Sequence, residues 1–407
     1  MRRAFTCLVA LALLAATPAI ASADTWPQYR HDSAASGVNL DQPTIQANRW
    51  RVRWSKNADE TRLITGHPLI GEDAVYVAGY KLEDGMRVQV QVWSFDFQTG
   101  RLNWVKRIPC GGIGPLVLVD GIVVVWIIRD LTLCPVQNDV DYNGRTWFID
   151  AESGDKEVNG YAQFGASILY DDIPSTVSIP GPLGRLYMWW FEEARFNTVP
   201  FQGALPTGYR FSGLGQPLRV LNDEVWLMRD GTRAPRPPVV SDGVALIPAN
   251  TSVQGLPVED PYLPNQVPPP PVIHWGQCGT VACAVDINTH EVLWTDAIAG
   301  TDPLVHDGVV YGACPTGLCG LDLRTGVELW SVATPTAASP IMAGGVLWVP
   351  TATDPVTTRG YDPATGALVS RRPFTQELGP AGGAAAIANG WMVTRTAGGI
   401  KAVTFDR

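Results

Sequence analysis

A chain of 407 residues with 46% hydrophobic and only 17% charged side chains holds ample material for a packed core, while 41 Gly and 33 Pro argue against a fold of long helices. A formal charge of −9 argues against a nucleic-acid partner, which needs cations to meet its phosphates. The longest internal apolar stretch, Leu116 to Ile128, is broken by Asp120-Gly121 and falls short of the roughly 20 residues a transmembrane helix requires.

Taken in chain order, residues 1 to 23 read as a secretory signal: Arg2-Arg3, an apolar run from Ala4 to Ala16, then Ala21-Ser22-Ala23 as a cleavage site. The mature chain is expected to start at Asp24, to carry 28 Lys and Arg against 39 Asp and Glu, and to be periplasmic or secreted. No Cys follows the cleavage site, so no lipid anchor is expected there. Residues 24 to 407 are expected to form one domain, because a single internal repeat runs through them.

Trp50 to Trp54 alternates as a strand should. The first full repeat, WSFDFQTGRLNW, ends at Trp104. A strand, a turn containing Gly and a second strand ending in Trp read as a tight hairpin, with the Asp placed to accept from the turn backbone. FIDAESGDKEV follows Trp147, CAVDINTHEVLW ends at Trp294, CGLDLRTGVELW ends at Trp330 and GYDPATGALVS begins at Gly360. Intervals from Asp286 to Asp322 and from Asp322 to Asp362 are 36 and 40 residues. Upstream of these hairpins, Asp120-Gly121, Asp242-Gly243, Asp307-Gly308, Gly344-Gly345 and Asn389-Gly390 mark a second two-residue turn between apolar runs.

Each repeat therefore predicts four antiparallel strands, A to D, and the fold class is all-β. Residues 399 to 406 supply a C strand with no D strand after it, and Trp50 to Trp54 a D strand with no C strand before it. Pairing of these ends would close a single β-propeller, which leaves only short, protected edges. Eight blades are expected, with seven the alternative, because the pattern fades between Val158 and Cys283. The proline-rich stretch from Pro248 to Pro271 is placed in a B-C loop, as surface packing or as a partner-binding arm.

The hairpin pattern x-L-D-x-x-T-G-x-x-L-W and the opening WPQYRHDSAASG resemble the PQQ-binding-like β-propeller repeat family. That family includes quinoprotein dehydrogenases and propellers that bind no quinone, such as the outer-membrane assembly scaffold BamB. The resemblance implies that Trp54, Trp104, Trp294 and Trp330 pack between neighbouring blades, with weaker docking where Val158 and Ser370 replace them. The adjacent cysteine pair of the alcohol-oxidising members is absent, and Asp24 stands where BamB-like members carry a lipidated Cys.

Six cysteines remain after the signal, an even number suited to disulfides in an exported protein. Proximity pairs Cys110 with Cys134, Cys278 with Cys283 and Cys314 with Cys319, all at connections on one rim. The chain-entropy estimate is about 2 kcal/mol for each short loop and about 3.5 kcal/mol for the long one. Asp139, Asp141 and Asn143 match the first half of a calcium loop, with a solvated turn the competing reading. The five histidines show no ligand spacing, and no nucleophile or metalloprotease motif occurs.

The expectation is a monomeric, non-catalytic scaffold that binds a protein or ligand at its loop-rich rim. The alternative is a PQQ-dependent oxidoreductase of alcohols or sugars, which rests on fold analogy alone.

Overall fold

The computed structural model describes residues 38–39, 44–56, 62–119, 121–128, 145–160, 168–169, 176–180, 186–190, 195–199, 219–221, 224–229, 239–247, 252–257, 281–289, 291–296, 298, 303–336, 339–352, 357–370, 374–375, 385–396 and 399–405. Every regular element among them is a strand, and the strands form eight sheets. Within each sheet the neighbours are antiparallel, apart from one short parallel pairing that joins Val38–Asn39 to Ile341–Ala343.

In chain order the sheets cover residues 62–109 (I), 112–160 (II), 168–199 (III), 219–257 (IV), 239–296 (V), 304–332 (VI), 341–375 with 38–39 (VII), and 385–405 with 50–56 (VIII). Innermost strands of successive sheets touch: Val239–Ser241 meets Leu304–His306, Ile341–Ala343 meets Ala385–Ala388, and Leu69–Ile70 meets both Ala385–Ala388 and Gly112–Val119.

The predicted two-residue turns take the conformation their residues favour. Asp242, Asp307 and Asn389 have φ of 50°, 47° and 53°, followed by Gly243, Gly308 and Gly390 at 73°, 72° and 77°, the signature of a type I′ hairpin turn. Residues on both faces of sheets VI and VIII are buried, because each packs against a neighbour on either side. Val310, Leu321, Val393 and Val403 are fully buried, so the strands read as apolar runs rather than as strict alternation.

The terminal strands meet as expected: Trp50–Lys56 pairs antiparallel with Ile400–Phe405, Trp50 opposite Phe405 and Lys56 opposite Ile400. Two features were not legible in the sequence. Val38–Asn39 adds a fifth strand to the inner edge of sheet VII, and the buried Asn39 side chain donates from Nδ2 to the Ile387 carbonyl of sheet VIII at 2.7 Å.

The second feature concerns the proline-rich stretch, which does run in the B-C connection of sheet V and of which residues 258–271 lie outside the described residues. Its segment Ser252–Pro257 is not a surface loop of sheet V; it pairs along Glu224–Arg229 as a strand of sheet IV. The chain thus leaves sheet V after Val244–Ile247, completes part of its neighbour, and returns at Ala282–Asp286.

Candidate functional site

The repeated Asp, Gly and Trp come together at the joints between sheets. In sheet VI the Asp322 carboxylate accepts from the Arg324 and Thr325 amides at 3.1 and 2.8 Å and from the Thr325 hydroxyl at 2.7 Å, while the Gly326 amide donates to the Asp322 carbonyl at 2.8 Å. The hydroxyl and amides of Thr99, Ser153 and Thr325 hold Asp96, Asp150 and Asp322 below the usual carboxylate range, because they stabilise the ionised form.

The residue after each Asp is the node of the joint. Leu323 donates its amide to the Gly308 carbonyl at 2.8 Å within its own sheet and accepts the Trp294 indole N–H of the preceding sheet at 2.7 Å. Ala151 does the same with Gly121 and Trp104, at 2.7 and 2.9 Å, and Phe97 with Asp73 and Trp54, at 2.9 and 3.0 Å. Pro363 has no amide hydrogen and keeps only the second half, accepting from Trp330 at 3.0 Å.

Close approach explains why the turn carries Gly. A Cβ built on Gly100, Gly154, Gly326 or Gly366 would lie 2.6, 2.7, 2.8 or 2.5 Å from the indole of Trp54, Trp104, Trp294 or Trp330. The D strands deliver these rings through a shared irregularity. Pairing slips by one residue just before Trp54, Trp104, Trp294 and Trp330, as a β-bulge does when it re-aims a side chain. Tyr76 and Tyr311 lie beside Trp104 and Trp330, and burial, followed by nearby carboxylates, pushes both phenols up to about 12.

Two substitutions at the Trp position behave differently from a ring. Val158 occupies the slipped position opposite Phe148, and the Ser370 hydroxyl accepts from the Gly360 amide at 2.7 Å. In the next sheet, VIII, the outer pair Ile400–Phe405 and Trp50–Lys56 is not joined by a hairpin, so sheet VII has no such turn to dock against.

Opposite the Asp-Gly turn of sheet VI, Cys314 ends one strand and the next begins at Gly317. Cys314 and Cys319 are bridged, with Cα atoms 5.9 Å apart. The connection they were expected to bracket is shorter than predicted: strands end at Cys314 and resume at Gly317, and Cys319 is fully buried inside the second strand. The bridge therefore joins the core between sheets V and VI rather than decorating a loop. Cys110 and Cys283 are disulfide-bonded and buried as well. Cys134 and Cys278, the candidate calcium residues Asp139, Asp141 and Asn143, and residues 1 to 23, expected to be a signal, lie outside the described residues. Among the described residues no group of three His, Cys, Asp or Glu side chains could hold a metal ion, and no helix is long and apolar enough to cross a membrane.

On the turn side, a shallow groove of about 420 Å³ lies between the segment Ile45–Arg49 and sheet VII residues Val346, Asp362 and Val369. The Asn48 amide donates to the Val369 carbonyl at 3.0 Å and so holds this segment in place.

Residues 275–388 match a family model described as outer membrane protein assembly factor BamB. Among curated proteins, none matches the chain. Solved structures similar to it include a europium-containing methanol dehydrogenase, 11% identical, TM-score 0.55, covering 94% of this chain and 98% of that one. The quinohemoprotein alcohol dehydrogenase ADHIIG from Pseudomonas putida HK5 is 11% identical with a TM-score of 0.52, covering 94% and 80%. The computationally designed Ika8 protein is 14% identical with a TM-score of 0.55, covering 88% and 100%. At such identities the likeness concerns fold. Together with the D-x-x-T-G turn and its docked Trp, the family match identifies residues 275–388 as PQQ-like β-propeller repeats, and the solved structures extend the likeness in fold to the rest of the chain.

Proposed function

We propose that the chain is an exported, eight-bladed propeller, closed by Trp50–Lys56 against Ile400–Phe405, that works as a non-catalytic scaffold and binds a protein partner at its loop-rich rim. The observation that carries this reading is the place of Val38–Asn39. A ligand on the axis of a propeller has to reach the innermost strands, and here Val38–Asn39 lies along one of them and reaches the next, with both residues buried.

An anionic quinone such as PQQ fits these residues poorly. Among the described residues, the inner strands of sheets VI, VII and VIII carry Leu304, Val305, Ile341, Met342, Ala386 and Ile387, all apolar and buried, with His306 their one titratable side chain, a lining that offers a carboxylated cofactor little to bind. The likeness to two alcohol dehydrogenases favours the enzyme reading only at the level of fold.

The test is affinity capture from the native host beside reconstitution with PQQ and calcium. A scaffold should retain a defined partner and show no dye-linked oxidation of alcohols or sugars. Turnover of a substrate on adding PQQ would overturn the reading.

A further inference from the structure

Sheets VIII and I pack face to face, and their packed faces end at the rim in cations. Trp54 meets Phe95 with ring centroids 6.3 Å apart, and Trp391 meets Phe97 at 5.0 Å, which fixes the two faces that look at one another. Alternation along the strands then places Arg395, four residues beyond Trp391, and Lys56, two beyond Trp54, on the same face of sheet VIII. The two flank Ile400 from opposite sides in the ladder. On sheet I, Ile64 and Val77 belong to the same buried cluster as Trp54, and the same alternation puts Arg62 and Lys81 on that face, directly opposite each other in adjacent strands.

Four cations from four strands thus gather at one mouth. Lys81 is ion-paired with Glu83 at the exposed edge, where the Lys81 side chain is 41% accessible.

Arg395 is the unusual member. It is 6% exposed, its Nε meets no hydrogen-bond acceptor among the described residues, and desolvation alone pulls its pKa down. A buried guanidinium that meets no counter-charge among the described residues is costly. Its planar fork of donors matches a tetrahedral or planar oxyanion better than any neutral group.

We propose that the rim end of the joint between sheets VIII and I is a binding site for an oxyanion, phosphate or carboxylate in chemistry, with Arg395 at its base and Lys56, Arg62 and Lys81 around its mouth. The site is independent of the scaffold reading. Because Lys56 lies in Trp50–Lys56 and Arg395 in Trp391–Arg395, an occupant would also tie these two distant segments together, and binding to the folded state alone would raise stability with ligand concentration.

The experiment measures the melting temperature of the full chain in inorganic phosphate, glycerol phosphate and succinate, against chloride at equal ionic strength. The expected result is a rise of several degrees that grows with the logarithm of oxyanion concentration. A larger response to the ester than to free phosphate would assign the anion to a larger molecule, and the reverse to a free ion; either supports the site. Arg395→Met should melt at or above the wild-type temperature in chloride, since an uncompensated charge has been removed, and should lose the oxyanion response. Lys81→Met, at the exposed edge, should fold normally and respond more weakly. An absent wild-type response, or one left unchanged in both Arg395→Met and Lys81→Met, overturns the proposal; if Arg395→Met does not fold, an unchanged Lys81→Met response overturns it alone.

Discussion

Sheets V and VI are joined by a side chain, whereas sheets IV and V are joined by the chain itself. In the first joint Trp294 crosses to the Leu323 carbonyl under Gly326, and Arg324 reaches back to the Asp242 carbonyl at 2.8 Å. In the second, Ser252–Pro257 leaves sheet V and fills a ladder position in sheet IV. The repeat pattern is strong where the Trp joint is made and weak where the strand crosses. Packing two sheets together needs a tie, and a backbone ladder can supply one where the docked ring is missing.

The largest effect should come from removing the crossing strand. Deleting residues 252–257 takes the partner of Glu224–Arg229 away and exposes an open edge. Unfolding should lose its single cooperative transition, and aggregation should appear by size-exclusion chromatography; an unchanged melt would show that sheet IV does not depend on the exchange. Shortening the proline-rich stretch is for the same reason a test of folding before it is a test of binding.

Next comes the Trp joint. Trp294→Ala should cost about 3 kcal/mol in denaturant unfolding through the cavity it leaves. Trp294→Phe keeps an aromatic ring and loses the indole donor, so the orphaned Leu323 carbonyl sets a smaller cost, about 1 kcal/mol. Equal losses in the two variants would mean that the hydrogen bond, not the ring, makes the joint.

A pair of glycines separates conformation from contact. Gly308 and Gly326 have φ of 72° and 69°, but only a Cβ on Gly326 meets the Trp294 ring, at 2.8 Å; nothing lies within 4 Å of one on Gly308. Both Ala variants share the left-handed strain of about 1–2 kcal/mol. Gly326→Ala should cost roughly 1–3 kcal/mol more, from overpacking against the ring.

The smallest effect is electrostatic. Asp96, Asp150 and Asp322 have folded pKa values below the ordinary value near 3.9. Their contribution is therefore fully present above that pH and is lost as pH falls through the depressed values. All three are solvent-exposed turns, so screening keeps each contribution small. Replacing the three with Asn should flatten the acid limb of stability against pH and leave the neutral region nearly level.

The sequence by itself determined the hairpins and their partners. Asp322, Gly326 and Trp330 act within a few residues or at a fixed step to the next repeat, so a period of 36 to 40 residues states the joint geometry in one dimension. Orphan strands at the two ends likewise implied their own pairing, because an unpaired edge is costly. Tertiary structure alone decided the rest. Ser252–Pro257 is too short and irregular to name its ladder, and only the edge of Glu224–Arg229 selects it. Val38–Asn39 carries no periodic signal at two residues and is fixed by Asn39 finding the Ile387 carbonyl. Cys319 was read as a loop cysteine because spacing gives proximity along the chain, whereas burial comes from sheet V packed against it. Arg395 shows the same limit: one Arg after four mostly apolar residues looks like the end of a strand, and its burial, with Nε unbonded among the described residues, exists only once sheet I covers it.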